Sequence, residues 1–219
     1  MEPLTLILFL GATRTIESKR RGDDRVNGNN GDDTIDGQRG SDTMYGGTGN
    51  DSIHGGVRGT YDDFLYGQAG EDTLFGGSGN DYLSGGIDDD TLEGQSGNDT
   101  LEGGSGDDKL KAGTGHDILT GGSGRDEFIV GFIDRRAGVI DADQITDFRN
   151  LGDSIRLHAV WDENGTYGDV SFEWQSDRSL NIFFQDQLLT NVRGLNPNVA
   201  LEEQIAHDNP WEITLINEA

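Results

Sequence analysis

A nine-residue beat constrains this chain more than any other feature. From Gly94 to Thr120 it reads GQSGNDTLE, GGSGDDKLK, AGTGHDILT: three units, each with a glycine-rich turn, an Asp at the sixth place and an apolar residue at the eighth. The beat extends in both directions. The sixth-place acids are Asp24, Asp33, Asp42, Asp51, Asp63, Asp72, Asp81, Asp90, Asp99, Asp108, Asp117 and Asp126. Two residues after each stand Val26, Ile35, Met44, Ile53, Leu65, Leu74, Leu83, Leu92, Leu101, Leu110, Leu119 and Phe128. The spacing is nine throughout except for twelve between Asp51 and Asp63, where Val57 to Tyr61 belongs to a longer turn. Twelve units in phase mark a stacked repeat architecture.

Each unit has room for a six-residue turn and a three-residue strand. Glycines at the first, second and fourth places let the backbone adopt positive φ and expose its carbonyls. Side chains alternate faces in a strand, so only the eighth residue points inward. One unit cannot bury its Leu alone, and stacked units must share a core. Two units together then close one coil with a sheet on each side. This places Asp81, Asp99 and Asp117 on one edge and Asp90, Asp108 and Asp126 on the other, each about 4.8 Å from the next. Neighbouring carboxylates at that separation repel by roughly 1 kcal/mol in water and about 3.5 kcal/mol at an effective dielectric near 20. The stack therefore calls for cations between its acids. Calcium fits best, being hard and content with six to eight mixed carboxylate and carbonyl oxygens, whereas magnesium wants stricter geometry. Zinc would need His or Cys, and neither recurs in phase.

Composition agrees. The net charge is -25, from 41 acids against 16 bases. Such acidity usually marks a disordered chain, but here the acids sit at fixed intervals, and they exclude DNA, RNA or an anionic membrane as partner. With 35 glycines and 32% apolar residues the chain cannot build a large conventional core. It has no cysteine, so disulfides and thiolate metal sites are excluded. The apolar run Leu4 to Leu10 is too short to span a bilayer. Glu2 stands where a signal peptide would carry positive charge, and the run reads as a strand covering the first rung.

The units match GGxGxDxUx, the known calcium-binding signature of RTX repeats, so the choice of metal does not rest on geometry alone. The chain resembles the hemolysin-type calcium-binding proteins: the C-terminal β-roll of serralysin-type proteases, repeats-in-toxin cytolysins and mannuronan epimerase R-modules. The resemblance covers about residues 16–130. It implies an all-β, right-handed parallel β-roll, a β-solenoid with two nonapeptide units per coil, holding several calcium ions between turns one full coil apart. It implies ligands at all twelve sixth-place acids. Carbonyls of the glycine-rich turns complete the set: Gly47, Gly49, Gly77, Gly79, Gly104, Gly106, Gly113, Gly115, Gly122 and Gly124. Asn29, Gln38, Gln68 and Gln95 replace the second glycine and Asp88 a fourth. Their carbonyls survive the change, and Asn or Asp tolerates left-handed φ.

After Phe128 the rhythm stops. Phe128–Ile133, Gln144–Phe148, Ser154–Val160, Val170–Trp174, Leu180–Gln185 and Leu188–Val192 read as strands. Asn196 followed by Pro197 offers a capped start for a short helix from Pro197 to about His207. The run from Asp143 to Leu157 resembles the DxIxDF…GDxIxL stretch that follows the last repeats in this family, implying a cap over the end of the roll. Asp143 and Asp147 are either a further calcium site or structural carboxylates. The expected division is 1–17 N-terminal capping strand, 18–130 β-roll, and 131–219 β-rich cap carrying an export signal near Trp211–Ala219.

Tyr45, Phe64, Tyr66 and Tyr82 cluster on one outer face, and His54 and Phe75 are neighbours on the other. The cluster is expected to be covered by a terminal segment; docking of a sugar or protein is the alternative. None of His54, His116, His158 and His207 lies in HExxH, and no GxSxG is completed, so no catalytic motif is found. His116 reads as a solvated turn residue. The sequence thus points to a calcium-binding, secreted or cell-surface bacterial module that folds on binding calcium. Expected partners are calcium and the type I secretion machinery. The alternative is an adhesion or carbohydrate-binding protein of surface-layer type, whose partner would be a cell-surface polysaccharide or surface protein.

Overall fold

The computed structural model describes residues 5–8, 15–17, 22–56, 58–130, 133–134, 139–140, 142–148, 153–158, 170–174, 180–184, 187–193, 201–205 and 212–217. Within the repeats the strands run six residues where the sequence suggests three. Thr43–Thr48 and Thr100–Ser105 are representative, each extending from a seventh place to the third place of the next unit. The ladder continues because the eighth and first places both face inward, as in the buried Met44 and Gly46 of Thr43–Thr48. A glycine at the first place lets the strand carry on without a side chain that would fill the interior.

Successive strands alternate between two parallel sheets. One sheet stacks Thr5–Leu8, Asp24–Asn30, Thr43–Thr48, Phe64–Ala69, Tyr82–Ile87, Thr100–Ser105, Ile118–Ser123 and Asp143–Ile145. The other stacks Thr15–Glu17, Thr34–Asp36, Ser52–Gly56, Thr73–Ser78, Thr91–Ser96, Lys109–Thr114, Glu127–Val130 and Ser154–His158. The result is an all-β solenoid of about six turns. In-register pairs such as Leu92↔Leu110 and Leu101↔Leu119 align the eighth-place residues, and all twelve are fully buried between the sheets. The lengthened turn near Val57 leaves this register intact, with Ser52↔Thr73 and Thr43↔Phe64 pairing across it.

Beyond the repeats the core continues through Ile145, Phe148 and Ile155, all buried, with the Phe128 and Phe148 rings 6.2 Å apart. Each sheet then changes direction. Gln187–Val192, Leu180–Phe184 and Val170–Trp174 extend the first, the last two antiparallel. Glu212–Asn217 and Leu201–Ile205 extend the second as antiparallel strands. The short helix expected over 197–207 is not formed. Leu201–Ile205 is a strand, paired Leu201↔Asn217 through Ile205↔Ile213. The rest of that expected helix, 197–200 and 206–207, lies outside the described residues, as do Trp211, Glu218 and Ala219 of the expected export signal. Leu201 and Ile205, at i and i+4, would have shared one helix face, but the segment pairs with Glu212–Asn217 instead, and tertiary pairing overrides the local signal.

Candidate metal centre

Coil geometry brings the sixth-place acids into two files. One runs Asp24, Asp42, Asp63, Asp81, Asp99, Asp117 and the other Asp33, Asp51, Asp72, Asp90, Asp108, Asp126, and none of the twelve is more than 5% exposed. Each carboxylate from the second rung onward accepts, through Oδ1, the backbone N–H of the preceding acid in its file. Asp81 N to Asp99 Oδ1 is 2.8 Å, and Asp33 N to Asp51 Oδ1 is 2.7 Å. The two bonds that cross the lengthened turn, Asp42 N to Asp63 Oδ1 and Asp51 N to Asp72 Oδ1, are also 2.7 Å.

The second carboxylate oxygen is treated differently. Oδ2 of Asp42, Asp51, Asp72, Asp81, Asp90, Asp99, Asp108 and Asp126 is buried and makes no hydrogen bond. It turns inward, over the first-place glycine of its own unit. A Cβ at Gly94 would lie 2.5 Å from Asp99 Oδ2 and 2.6 Å from the Ala112 carbonyl oxygen; at Gly37 it would lie 2.6 Å from Asp42 Oδ2 and 2.7 Å from the Gly55 carbonyl oxygen. An unmatched carboxylate oxygen and a main-chain carbonyl thus crowd in over the first-place glycine, where no side chain would fit. Among the described residues no three acidic or imidazole side chains gather at one point. An ion held between turns would therefore draw on carboxylates together with main-chain oxygens, the mixed hard-oxygen set that suits calcium.

Burial pushes these carboxyls up, with neighbouring acids adding to the effect and the amide bond opposing it. Asp42, Asp63, Asp72 and Asp126 rise to about 7, Asp51, Asp81 and Asp108 to about 6, and Asp90 and Asp99 to about 8. A buried carboxylate with one unpartnered oxygen is costly in its charged form. The file fits a cation.

The ten turn glycines expected to offer carbonyls lie along the turn edges. Gly47, Gly77, Gly104, Gly113 and Gly122 at second places, and Gly49, Gly79, Gly106, Gly115 and Gly124 at fourth places, each lie over the same-place carbonyl of the preceding rung. At Gly49 a Cβ would come 2.7 Å from the Gly31 oxygen. These carbonyls therefore line up rung over rung along both turn edges, while a Cβ at a first-place glycine such as Gly94 or Gly37 would meet Oδ2 and the next rung's first-place carbonyl together. The substituted places keep the same backbone, with φ of 73° at Asn29, 67° at Gln38, 84° at Gln68, 74° at Gln95 and 82° at Asp88.

Two features escaped the sequence reading. The first is a ladder at the fifth place, where Asn or Asp side chains accept the next rung's fifth-place N–H. Asp62 Oδ1 takes Asn80 N at 2.7 Å and Asn80 Oδ1 takes Asn98 N at 2.9 Å. The signal was present, since Asp23, Asp32, Asn50, Asp62, Asn80, Asp89, Asn98 and Asp107 all precede a sixth-place Asp. The second is Asp153, fully buried, whose Oδ1 accepts Asp126 N at 3.1 Å. Asp143 does the same for Asp117 N at 3.2 Å. Both files thus continue one rung past the last glycine-rich turn. Asp147 instead holds the amides of Gly121 and Gly122, at 2.9 and 2.8 Å. His116 is exposed in its turn, as expected, and its Nδ1 accepts Ala142 N at 3.2 Å.

The outer aromatics are not covered by any described segment. Tyr45 and Tyr66 stack at 4.9 Å, Tyr82 tilts against Tyr66 at 5.7 Å, and the Arg25 guanidinium lies 4.7 Å over Tyr45. The Tyr82 hydroxyl donates to Glu102 Oε2 at 2.6 Å. These rings turn their faces on one another.

No curated protein matches the chain. Residues 20–53, 58–92 and 93–128 match the family model described as RTX calcium-binding nonapeptide repeat (4 copies). Stacked strands, buried acid files and sequence pattern agree, and the segment from residue 20 to residue 128 belongs to the RTX calcium-binding nonapeptide repeats.

Proposed function

We propose that this chain is a calcium-dependent folding module of a secreted or surface-exposed bacterial protein. Residues 18–130 form the roll, and 1–17 and 131–219 close its ends. The observation that carries this reading is the pair of buried carboxylate files, in which Oδ2 of Asp42, Asp51, Asp72, Asp81, Asp90, Asp99, Asp108 and Asp126 makes no hydrogen bond. The twelve sixth-place acids, with carbonyls of the glycine-rich turns, would hold several calcium ions. Bound calcium would supply the positive charge those oxygens call for. Oδ1 fixes each carboxylate from the second rung onward to the previous rung, the first-place glycines let Oδ2 and a main-chain carbonyl approach closely, and the aligned second- and fourth-place carbonyls, Gly77 and Gly79 among them, offer further oxygens. Binding free energy is then folding free energy.

RTX repeats are typical of secreted bacterial proteins, and the module suits export: where calcium is scarce, self-repulsion keeps the chain extended, and outside the cell calcium folds it. The export address assigned to Trp211–Ala219 includes Glu212–Asn217, a strand paired on both edges in the folded chain. A type I machinery could read it only before folding, which supports the same order of events. Adhesion through the aromatic face gains less support, because Tyr45 and Tyr66 cover each other's ring faces.

Circular dichroism in EGTA at pH 8, followed by calcium, tests the reading. The expected result is a disordered spectrum in chelator and a β-rich one on adding calcium. A spectrum that stays β-rich in chelator overturns it.

A further inference from the structure

The second sheet carries, on its outer face, a groove that the calcium reading leaves unused. It has a volume of about 330 Å³, and its polar and aromatic lining comes from Thr15, Thr34, Asp36, His54, Phe75 and Gln95. These residues belong to five consecutive strands, from Thr15–Glu17 to Thr91–Ser96. Four strand spacings make the groove about 19 Å long, running along the solenoid axis. Its floor is low because Gly56 and Gly77 stand at successive second places, where Gln95 carries a side chain in the next rung. On its wall His54 and Phe75 stack at 4.6 Å with ring planes 15° apart, and Ser52 Oγ lies 3.2 Å from His54 Nε2.

We infer that this groove binds a linear neutral glycan. A long, narrow, half-open trough that crosses one strand per spacing suits a chain of similar residues better than a compact small molecule. Asp36, Gln95 and the two threonines offer a carboxylate, an amide and hydroxyls to sugar hydroxyls, and the stacked ring pair, its faces turned on each other, lines the wall with apolar ring edges. Charge selects among glycans. Among the described residues Asp36 is the charged residue of the lining, and the chain as a whole carries -25, so a polyuronate or sulfated chain is repelled and a neutral one is not.

The test titrates the full chain, folded in calcium, with cellotetraose, maltotetraose and tetragalacturonate, and follows backbone amide shifts by NMR. One of the neutral tetrasaccharides should shift the amides of 34–36, 54–56, 75–77 and 95, binding at least fivefold more tightly than its own disaccharide. Tetragalacturonate should not bind there. Asp36→Ala and Phe75→Ala should each weaken binding at least fivefold while calcium stoichiometry stays that of the parent chain. If neither neutral sugar moves these amides, if the shifts fall on the opposite sheet, or if tetragalacturonate binds as well as they do, the inference is wrong. Loss of calcium binding in the parent chain would instead overturn the folding reading, so the two failures are told apart.

Discussion

At the scale of single residues, a sixth-place Asp such as Asp99 has two oxygens with two fates, and this separates it from the acids of the outer faces. Asp99 gives Oδ1 to the Asp81 amide and turns Oδ2 into the interior. Glu93, on an outer face, accepts from the Lys111 ammonium at 3.1 Å. Asp99→Ala should therefore lower calcium affinity and cooperativity at least tenfold in a calorimetric titration, and Glu93→Ala should leave both within about twofold; equal effects would detach the metal from the file. Backbone conformation makes a second contrast. Gln68 is held at φ 84°, a region that costs a residue with a Cβ roughly 1–2 kcal/mol. Gln68→Gly should raise calcium-saturated stability by about 1 kcal/mol. Gly104→Ala, at φ 121° and directly over the Gly86 carbonyl, should lower it by about 3 kcal/mol. Denaturant midpoints in saturating calcium measure both.

At the scale of elements, period was legible and partnership was not. Side-chain alternation around Leu83, Leu92 and Leu101 was enough to place those residues inside and their acids on two edges. It could not show that strands such as Tyr82–Ile87 run on through the first three places, because glycines that look like turn residues also extend a ladder when nothing but backbone fits between rungs. Nor could it show that Leu201–Ile205 forgoes a helix, since that outcome depends on Glu212–Asn217 arriving beside it. The site followed the same division. Repetition marked the sixth-place acids, whereas Asp153 follows Asp126 by 27 residues where the preceding step in the file, Asp108 to Asp126, is 18, and only the stacking of Ile155 on Phe128 identifies it as the next member of the file. The seam between roll and cap is apolar at its centre, where Phe148 is fully buried against Phe128. Phe148→Ala should cost about 3–5 kcal/mol. Hydrogen exchange should show the loss first at 154–158, with the amides of 73–105 still protected; uniform loss would mean that roll and cap unfold as one unit.

At the scale of the whole molecule, the files make stability depend on pH and cation together, and the sign can be worked out. Carboxyls whose pKa rises from 3.8 to about 6 in Asp51 and about 8 in Asp90 and Asp99 hold protons more tightly folded than unfolded. Without cations, their contribution favours the fold fully below about pH 4 and is lost as pH climbs through 6 to 8. Protons and calcium are thus alternative ways of quieting the same oxygens. Metal-stripped protein should be β-rich and compact near pH 4, and should lose its β signal progressively between pH 6 and 8. Calcium should restore the signal at pH 8 and add little at pH 4. Circular dichroism with light scattering across this range, with and without calcium, reads both arms. If the stripped chain is equally disordered at pH 4 and pH 8, the buried carboxylates are not what keeps it open, and calcium must act through the turn carbonyls alone.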